Sequence, residues 1–222
     1  VIKRKVNIIL LHPPSVYDFR RMPIAFGPIS DVVPSTFIFE LYPVGFSSLV
    51  EYLNRNGFSA RIINVAYLML RSESFDVERM ISGLRADLFG IDLHWLPHAH
   101  GAIELARICK KHHPDTPVVM GGYSATYFHR EIMEYPWVDY IIRGDSAEEP
   151  LLALLKMIRG EERPEFVQNL TWRWDGKVME NPLSYVPEKL GDFANNYLRL
   201  FVNSIVYGDL KRMTPIYVWW GY

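Results

Sequence analysis

Val118-Val119-Met120-Gly121-Gly122-Tyr123-Ser124-Ala125 is a β-branched, apolar run that stops at a glycine pair. Val138-Asp139-Tyr140-Ile141-Ile142-Arg143-Gly144-Asp145 repeats the plan and stops at Gly144. Each run leads into a stretch with helical character. A buried strand, then glycine, then a helix N-terminus is how an open parallel sheet builds a ligand crevice. Glycine lets ligand atoms lie on the backbone where a Cβ would collide. Two such turns in succession point to a ligand held along the carboxyl edge of the sheet. On this reading a branched side chain at Gly122 closes the crevice and leaves the fold intact.

The rest of the chain fits this frame. Apolar runs with strand character fall at 6–11, 60–65, 88–91, 118–120 and 140–142. Helical patterns lie between them. The one at 44–56 ends before Gly57, a C′ glycine. The next, 75–85, follows Ser74 as N-cap. A third, 99–113, stops at Pro114. The last two, 125–134 and 147–159, stop before Pro136 and Gly160. Five strands alternating with five helices predict right-handed β-α-β units in an α/β fold. The sheet is doubly wound and parallel, with the flavodoxin-like order 2-1-3-4-5. The long, proline-bearing and aromatic stretch 19–42 follows the first strand. It reads equally as a functional loop or as a packed surface insertion. Beyond Gly160, residues 169–179 form a hairpin signature around Asp175-Gly176, and 193–210 reads as a helix. The expected division is a domain over 1–160 and a connector of hairpin plus helix over 161–222. The apolar, aromatic end 216–222 reads as a strand cut from a longer polypeptide.

Composition narrows the classes. The net charge of −1 gives no global field for nucleic acid or a membrane surface, and neither is expected as a partner. No apolar run approaches the ~18 residues of a spanning helix. Cys109 is the only cysteine, which excludes an internal disulfide and fits a reducing cytoplasm. It lies mid-helix and reads as a buried structural thiol.

The glycine turns carry a specific resemblance. The chain resembles, over roughly 5–160, the cobalamin (B12)-binding domain that precedes the catalytic barrel in B12-dependent radical SAM proteins. Cobalamin domains of the methionine-synthase type carry Ser-x-Leu after the third strand and Gly-Gly after the fourth. The matching positions here are Asp92-Leu93-His94 and Gly121-Gly122, with the first motif altered at both ends. The stretch 143–150 is similar to the Gly-Glu-Gly-Glu-like segment after the family's fifth strand. The resemblance implies cobalamin contacts from Pro13, Pro14 and Ser15 after the first strand, and from Asp92, Leu93, His94 and Trp95 after the third. It implies further contacts from Gly121, Gly122, Tyr123 and Ser124, and from Gly144, Asp145 and Ser146. Histidine-ligating relatives carry Asp-x-His-x-x-Gly after the first strand. Here the loop is Leu11-His12-Pro13-Pro14-Ser15-Val16-Tyr17-Asp18, and the motif is absent. The resemblance therefore implies a base-off cofactor with water or nothing below cobalt, suited to methyl transfer. No metal ligand and no catalytic residue is expected in this chain; His94 is the remaining candidate for an axial nitrogen. Radical SAM chemistry needs a [4Fe–4S] cluster on three thiolates. The cluster and S-adenosylmethionine are thus expected in a C-terminal barrel past Tyr222, which is also the expected partner.

Other side chains take plainer readings. His94 and His98 are four apart, but Pro97 breaks a helix across them, so the loop lines the crevice and His100 is helix surface. His112 and His113 close a helix where positive charge is favourable. Glu148 and Glu149 diverge by about 100° on a helix and cannot flank one bond, so they compensate the helix dipole. A phosphoryl receiver lacks its acidic pair at His12-Pro13 and its lysine at Arg143-Gly144. A flavin or nucleotide module would need backbone donors that Pro13-Pro14 removes. That module, and a partner-docking domain without a ligand, stay open as alternatives.

Overall fold

The computed structural model describes residues 5–21 and 44–187. The expected loop, apart from residues 19–21, the later helix and the terminal strand lie outside them. Strands β1 (Val6–His12), β2 (Ala60–Asn64), β3 (Ala86–Asp92), β4 (Val118–Gly121) and β5 (Tyr140–Ile142) form the parallel part of one sheet. Their order is β2-β1-β3-β4-β5, as the alternation predicts. Two further strands, β6 (Leu170–Trp174) and β7 (Lys177–Glu180), add antiparallel beyond β5. The hairpin thus extends the same sheet to seven strands. Asp175 and Gly176 both take positive φ, 47° and 75°, as a two-residue type I′ turn requires.

Side chains alternate across the sheet with period two. Ile9, Leu11, Phe89, Ile91, Val118, Met120 and Ile141 face one core. That core is covered by α2 (Val65–Arg71), α3 (Val77–Ser82), α4 (Ala99–His112), α5 (Tyr123–Tyr127) and α6 (His129–Ile132). Ile8, Leu10, Leu88, Val119 and Ile142 face the other, under α1 (Val44–Arg55) and α7 (Glu148–Ile158). Each such side chain contributes about 1.5–3 kcal/mol by burial, so two sealed faces hold the parallel strands without an exposed side. Cys109 is fully buried in the first core, and burial pushes its thiol well above the ordinary range. Among the described residues no helix is long and apolar enough to cross a membrane.

One helix was not expected, one expected helix is shorter, and one is split. Asn64 accepts the amide of Tyr67 at 2.8 Å, which starts α2 directly after β2. Asp76, rather than Ser74, caps α3 by accepting Arg79 N–H at 2.9 Å. The pattern at 125–134 begins earlier, at Tyr123, and breaks at Phe128 (φ −106°, ψ 26°) into α5 and α6. Beyond the hairpin, the stretch 181–187 is pinned by two asparagines. Asn169, fully buried with φ 61°, accepts the amides of Ser184 and Tyr185 at 2.9 and 3.0 Å through its Oδ1. Asn181 donates to the carbonyls of Pro164 and Val167 at 2.6 and 2.8 Å.

Candidate functional site

The carboxyl ends of β1, β3, β4 and β5 bring the predicted site residues to one edge of the sheet. After β1, Pro13, Pro14 and Ser15 are buried. The chain here lies against α4, and Gly101 makes that possible. A Cβ on Gly101 would sit 1.7 Å from the Pro14 carbonyl oxygen, and Gly101 N–H donates to Ser15 O at 3.2 Å. Tyr17 N–H donates to His100 Nδ1 at 3.1 Å, so His100 on the helix surface also holds the loop. Arg20 staples the far end. It donates to both Asp18 oxygens at 2.8 and 2.6 Å, and to the carbonyls of Ser72, Glu73 and Phe75 at 3.0, 3.1 and 2.9 Å. The hydrogen bond from Arg20 holds the Asp18 carboxyl below the usual range.

Leu11 and Ile91 are register partners, so His12 and Asp92 end their strands side by side on the α1–α7 face. His12 Nδ1 lies 3.1 Å from Asp92 Oδ2, and both side chains are largely buried. The His98 ring meets His12 edge-on, centroids 5.4 Å apart. Burial, then the neighbouring His12, pushes His98 down to about 4, so it is neutral at pH 7. His94 turns the other way. Its ring packs against Trp95 and Tyr123 at 5.4 and 4.9 Å. Trp95 is 66% exposed and Tyr123 49%, which makes an open aromatic ledge. Leu93 turns inward and belongs to the first core. Among the described residues no three His, Cys, Asp or Glu side chains are placed to share a metal ion.

The glycine pair divides its work. Gly122 has φ +109°, and a Cβ there would lie 2.7 Å from His94 N and 2.8 Å from His94 Cα. The close neighbour is thus the loop after β3, and a branched side chain at Gly122 would displace backbone rather than spare the fold. The loops are also joined by hydrogen bonds. Leu93 N–H donates to Gly121 O at 2.8 Å, and Ser124 donates to His94 O through both N–H and Oγ, at 3.2 and 3.0 Å. Gly121 is different: its Cβ would meet only Ile142 O at 3.6 Å, an ordinary contact. It alternates with Met120 and so faces α1 and α7. Gly90 of β3 shares that face, and Leu10 leans into its place, 2.6 Å from an ideal Cβ.

The β5 turn is tied to the β4 turn by Thr126. Gly144, at φ +97°, donates its N–H to Thr126 Oγ1 at 2.9 Å, and Thr126 Oγ1 donates to Gly122 O at 2.9 Å. Tyr123 hydrogen-bonds the exposed Asp145, which raises the phenol, and Ser146 is half-buried beside it. Glu148 and Glu149 do more than compensate a dipole. Glu148 is only 8% exposed and accepts Ser48 Oγ at 2.8 Å. Glu149 accepts the hydroxyl of Tyr52.

Gly90, Gly101 and Thr126 shape this edge and were not singled out from the sequence. The one available signal was a glycine inside a strand and another inside a helix. The edge fits a flat macrocycle: an exposed aromatic ledge, a glycine without a side chain at Gly121, and polar groups at Asp145 and the Tyr123 hydroxyl.

Comparison with known proteins agrees with the fold and identifies a family. Residues 31–155 match the family described as B12 binding domain. The chain is 26% identical over 182 residues to the anaerobic magnesium-protoporphyrin IX monomethyl ester cyclase of Rubrivivax gelatinosus, covering 78% of this chain and 32% of that protein. It therefore spans about a third of the length of that relative. In fold it resembles the radical S-adenosylmethionine methyltransferase TsrM from Kitasatospora setae, solved with cobalamin and a [4Fe-4S] cluster bound. The TM-score is 0.60 at 17% identity, over 85% of this chain and 30% of that one. It also resembles the cobalamin-dependent S-adenosylmethionine radical enzyme OxsB, solved with aqua-cobalamin and S-adenosylmethionine. There the TM-score is 0.59 at 15% identity, over 82% of this chain and 22% of that one.

Proposed function

The chain belongs to the B12-binding domain family, and from that membership we propose that it holds cobalamin base-off at the carboxyl edge of its sheet. In this reading the corrin lies on the ledge of His94, Trp95 and Tyr123. The loops of Pro13, Pro14 and Ser15, of Asp92 and Leu93, and of Gly144, Asp145 and Ser146 surround it. Ser124 braces the ledge through His94 O. The nucleotide tail runs down between the sheet and α1 and α7, past Gly121. Bound cobalamin would supply a methyl group carrier for methyl transfer or related radical chemistry. That chemistry is performed with a radical SAM barrel of the same protein, which carries the [4Fe–4S] cluster and S-adenosylmethionine in the cytoplasm. Residues 1–160 form the cobalamin domain, and 161–222 the connector toward the barrel.

The observation that carries this reading is the pair of positive-φ glycine turns, Gly122 and Gly144, joined through Thr126 beneath an open aromatic ledge. The chain's own part is to bind and orient. Titration with aquacobalamin, followed by visible absorption, tests it. Stoichiometric uptake with a base-off spectrum is expected, with weaker uptake of cobinamide, which lacks the nucleotide tail. Equal affinity for the two would refute tail burial, and no uptake by folded chain would refute the cofactor.

A further inference from the structure

Helices α1 and α7 lie side by side over the face of the sheet that carries Gly90 and Gly121. Their seam is where the tail must go on the reading above, and it is closed. Two side-chain hydrogen bonds cross it at the carboxyl end. Ser48 Oγ donates to the buried Glu148 at 2.8 Å, and Tyr52, one turn further along α1, donates to Glu149. Beneath them Leu10 fills the space that Gly90 leaves. Tyr185, on the stretch leaving the hairpin, stands beside the same two carboxylates. Burial, then Glu148 and Glu149, pushes its phenol up to about 12.

We propose that the Ser48–Glu148 and Tyr52–Glu149 bonds form a latch that holds α1 against α7 and must open before a nucleotide tail can enter the seam. The proposal rests on the base-off reading. Both acceptors are carboxylates, and hydrogen bonds to charged groups are the stronger kind. A closed form favoured in this way lowers apparent affinity by the fraction of open molecules. Removing a bond should therefore speed the entry of a tailed ligand and not of a tailless one. Tyr185 stands beside both acceptors, so opening the seam is felt at that stretch of the chain.

The test compares association of aquacobalamin and of cobinamide with the full chain by stopped-flow absorbance. The variants are Ser48→Ala, Tyr52→Phe and the double variant. Tyr52→Phe keeps the packed ring, so it serves even where loss of Ser48 weakens the fold. Each single change should accelerate aquacobalamin about threefold and the double about tenfold, from the worth of such bonds. Cobinamide should associate at one rate throughout. Unchanged or slower aquacobalamin association in both single variants overturns the latch, as does equal acceleration of cobinamide. Wild-type chain that does not prefer aquacobalamin overturns the underlying reading instead.

Discussion

Gly101 stands in the first turn of α4, where alanine is ordinarily the better residue. The exchange usually gains about 0.5–1 kcal/mol, because glycine loses more backbone freedom on folding. Here the sign should reverse. The new Cβ would lie 1.7 Å from the Pro14 carbonyl oxygen, against an ordinary non-bonded separation of ~3.4 Å or more. The obstacle is backbone, so no rotamer change relieves it. The loop must retreat by roughly 1.7 Å, which pulls Ser15 O away from Gly101 N–H. Overpacking of this kind costs about 1–3 kcal/mol, and the lost hydrogen bond about 1 more. Set against the helical gain, Gly101→Ala should destabilise the chain by about 1–3 kcal/mol. For a domain of this size that lowers Tm by about 2–10 °C. The control is Gly83→Ala. Gly83 has φ −83°, and its Cβ would meet Met80 O at 3.5 Å, so the exchange should be neutral or slightly stabilising. Thermal unfolding of both variants by circular dichroism decides the matter. A Gly101→Ala protein as stable as wild type would refute the claim that α4 positions the Pro14 loop by direct backbone contact.

Gly122→Val should cost about 2–4 kcal/mol, because it combines an unfavourable φ with displacement of the His94 backbone; unfolding at wild-type temperature would contradict this. Electron paramagnetic resonance of bound Co(II) should show no nitrogen splitting from this chain. A three-line pattern lost in His12→Ala or His94→Ala would disprove it. His98 is pushed down to about 4 by burial, from an ordinary value near 6.5. Between these values the unfolded chain binds more protons, so stability is complete above about pH 6.5 and declines toward pH 4. The slope should reach no more than about 1.4 kcal/mol per pH unit. Urea titrations of His98→Gln should flatten that decline, and an unaltered slope would remove His98 as its source. Tyr52→Phe should leave Tm within about 1–2 °C of wild type while altering cofactor entry.

The fold was legible because strand and helix signals agreed with their punctuation. Each parallel strand is a short apolar run, and Gly121-Gly122 and Gly144 mark where two of them turn. The alternation alone leads to the order β2-β1-β3-β4-β5. Helix boundaries were less legible, since caps compete. Ser74 and Asp76 are both able to start α3, and it is Asp76 that accepts the Arg79 amide, with Val77 and Ile81 of that helix buried in the core. The hairpin was visible in Asp175-Gly176, but its attachment to β5 depends on Asn169 in a left-handed conformation, which no local pattern announces. At the site, the loops were visible and their contacts were not. The pairing of His12 with Asp92 and the meeting of Gly101 with Pro14 join residues about eighty-odd positions apart, a distance at which only register and crossover decide who meets whom.

Asn169 has a mechanical side. Its carboxamide grips the backbone at Ser184 and Tyr185, and its own carbonyl is held by Arg143 N–H at 3.0 Å. Force applied to the chain beyond Pro187 therefore passes into the sheet at β5, beside Gly144, and not into a slack hinge. Cutting that grip by Asn169→Ala would free Ser184 and Tyr185 alone, since Asn181 still holds Pro164 and Val167, without touching a single residue of the ledge.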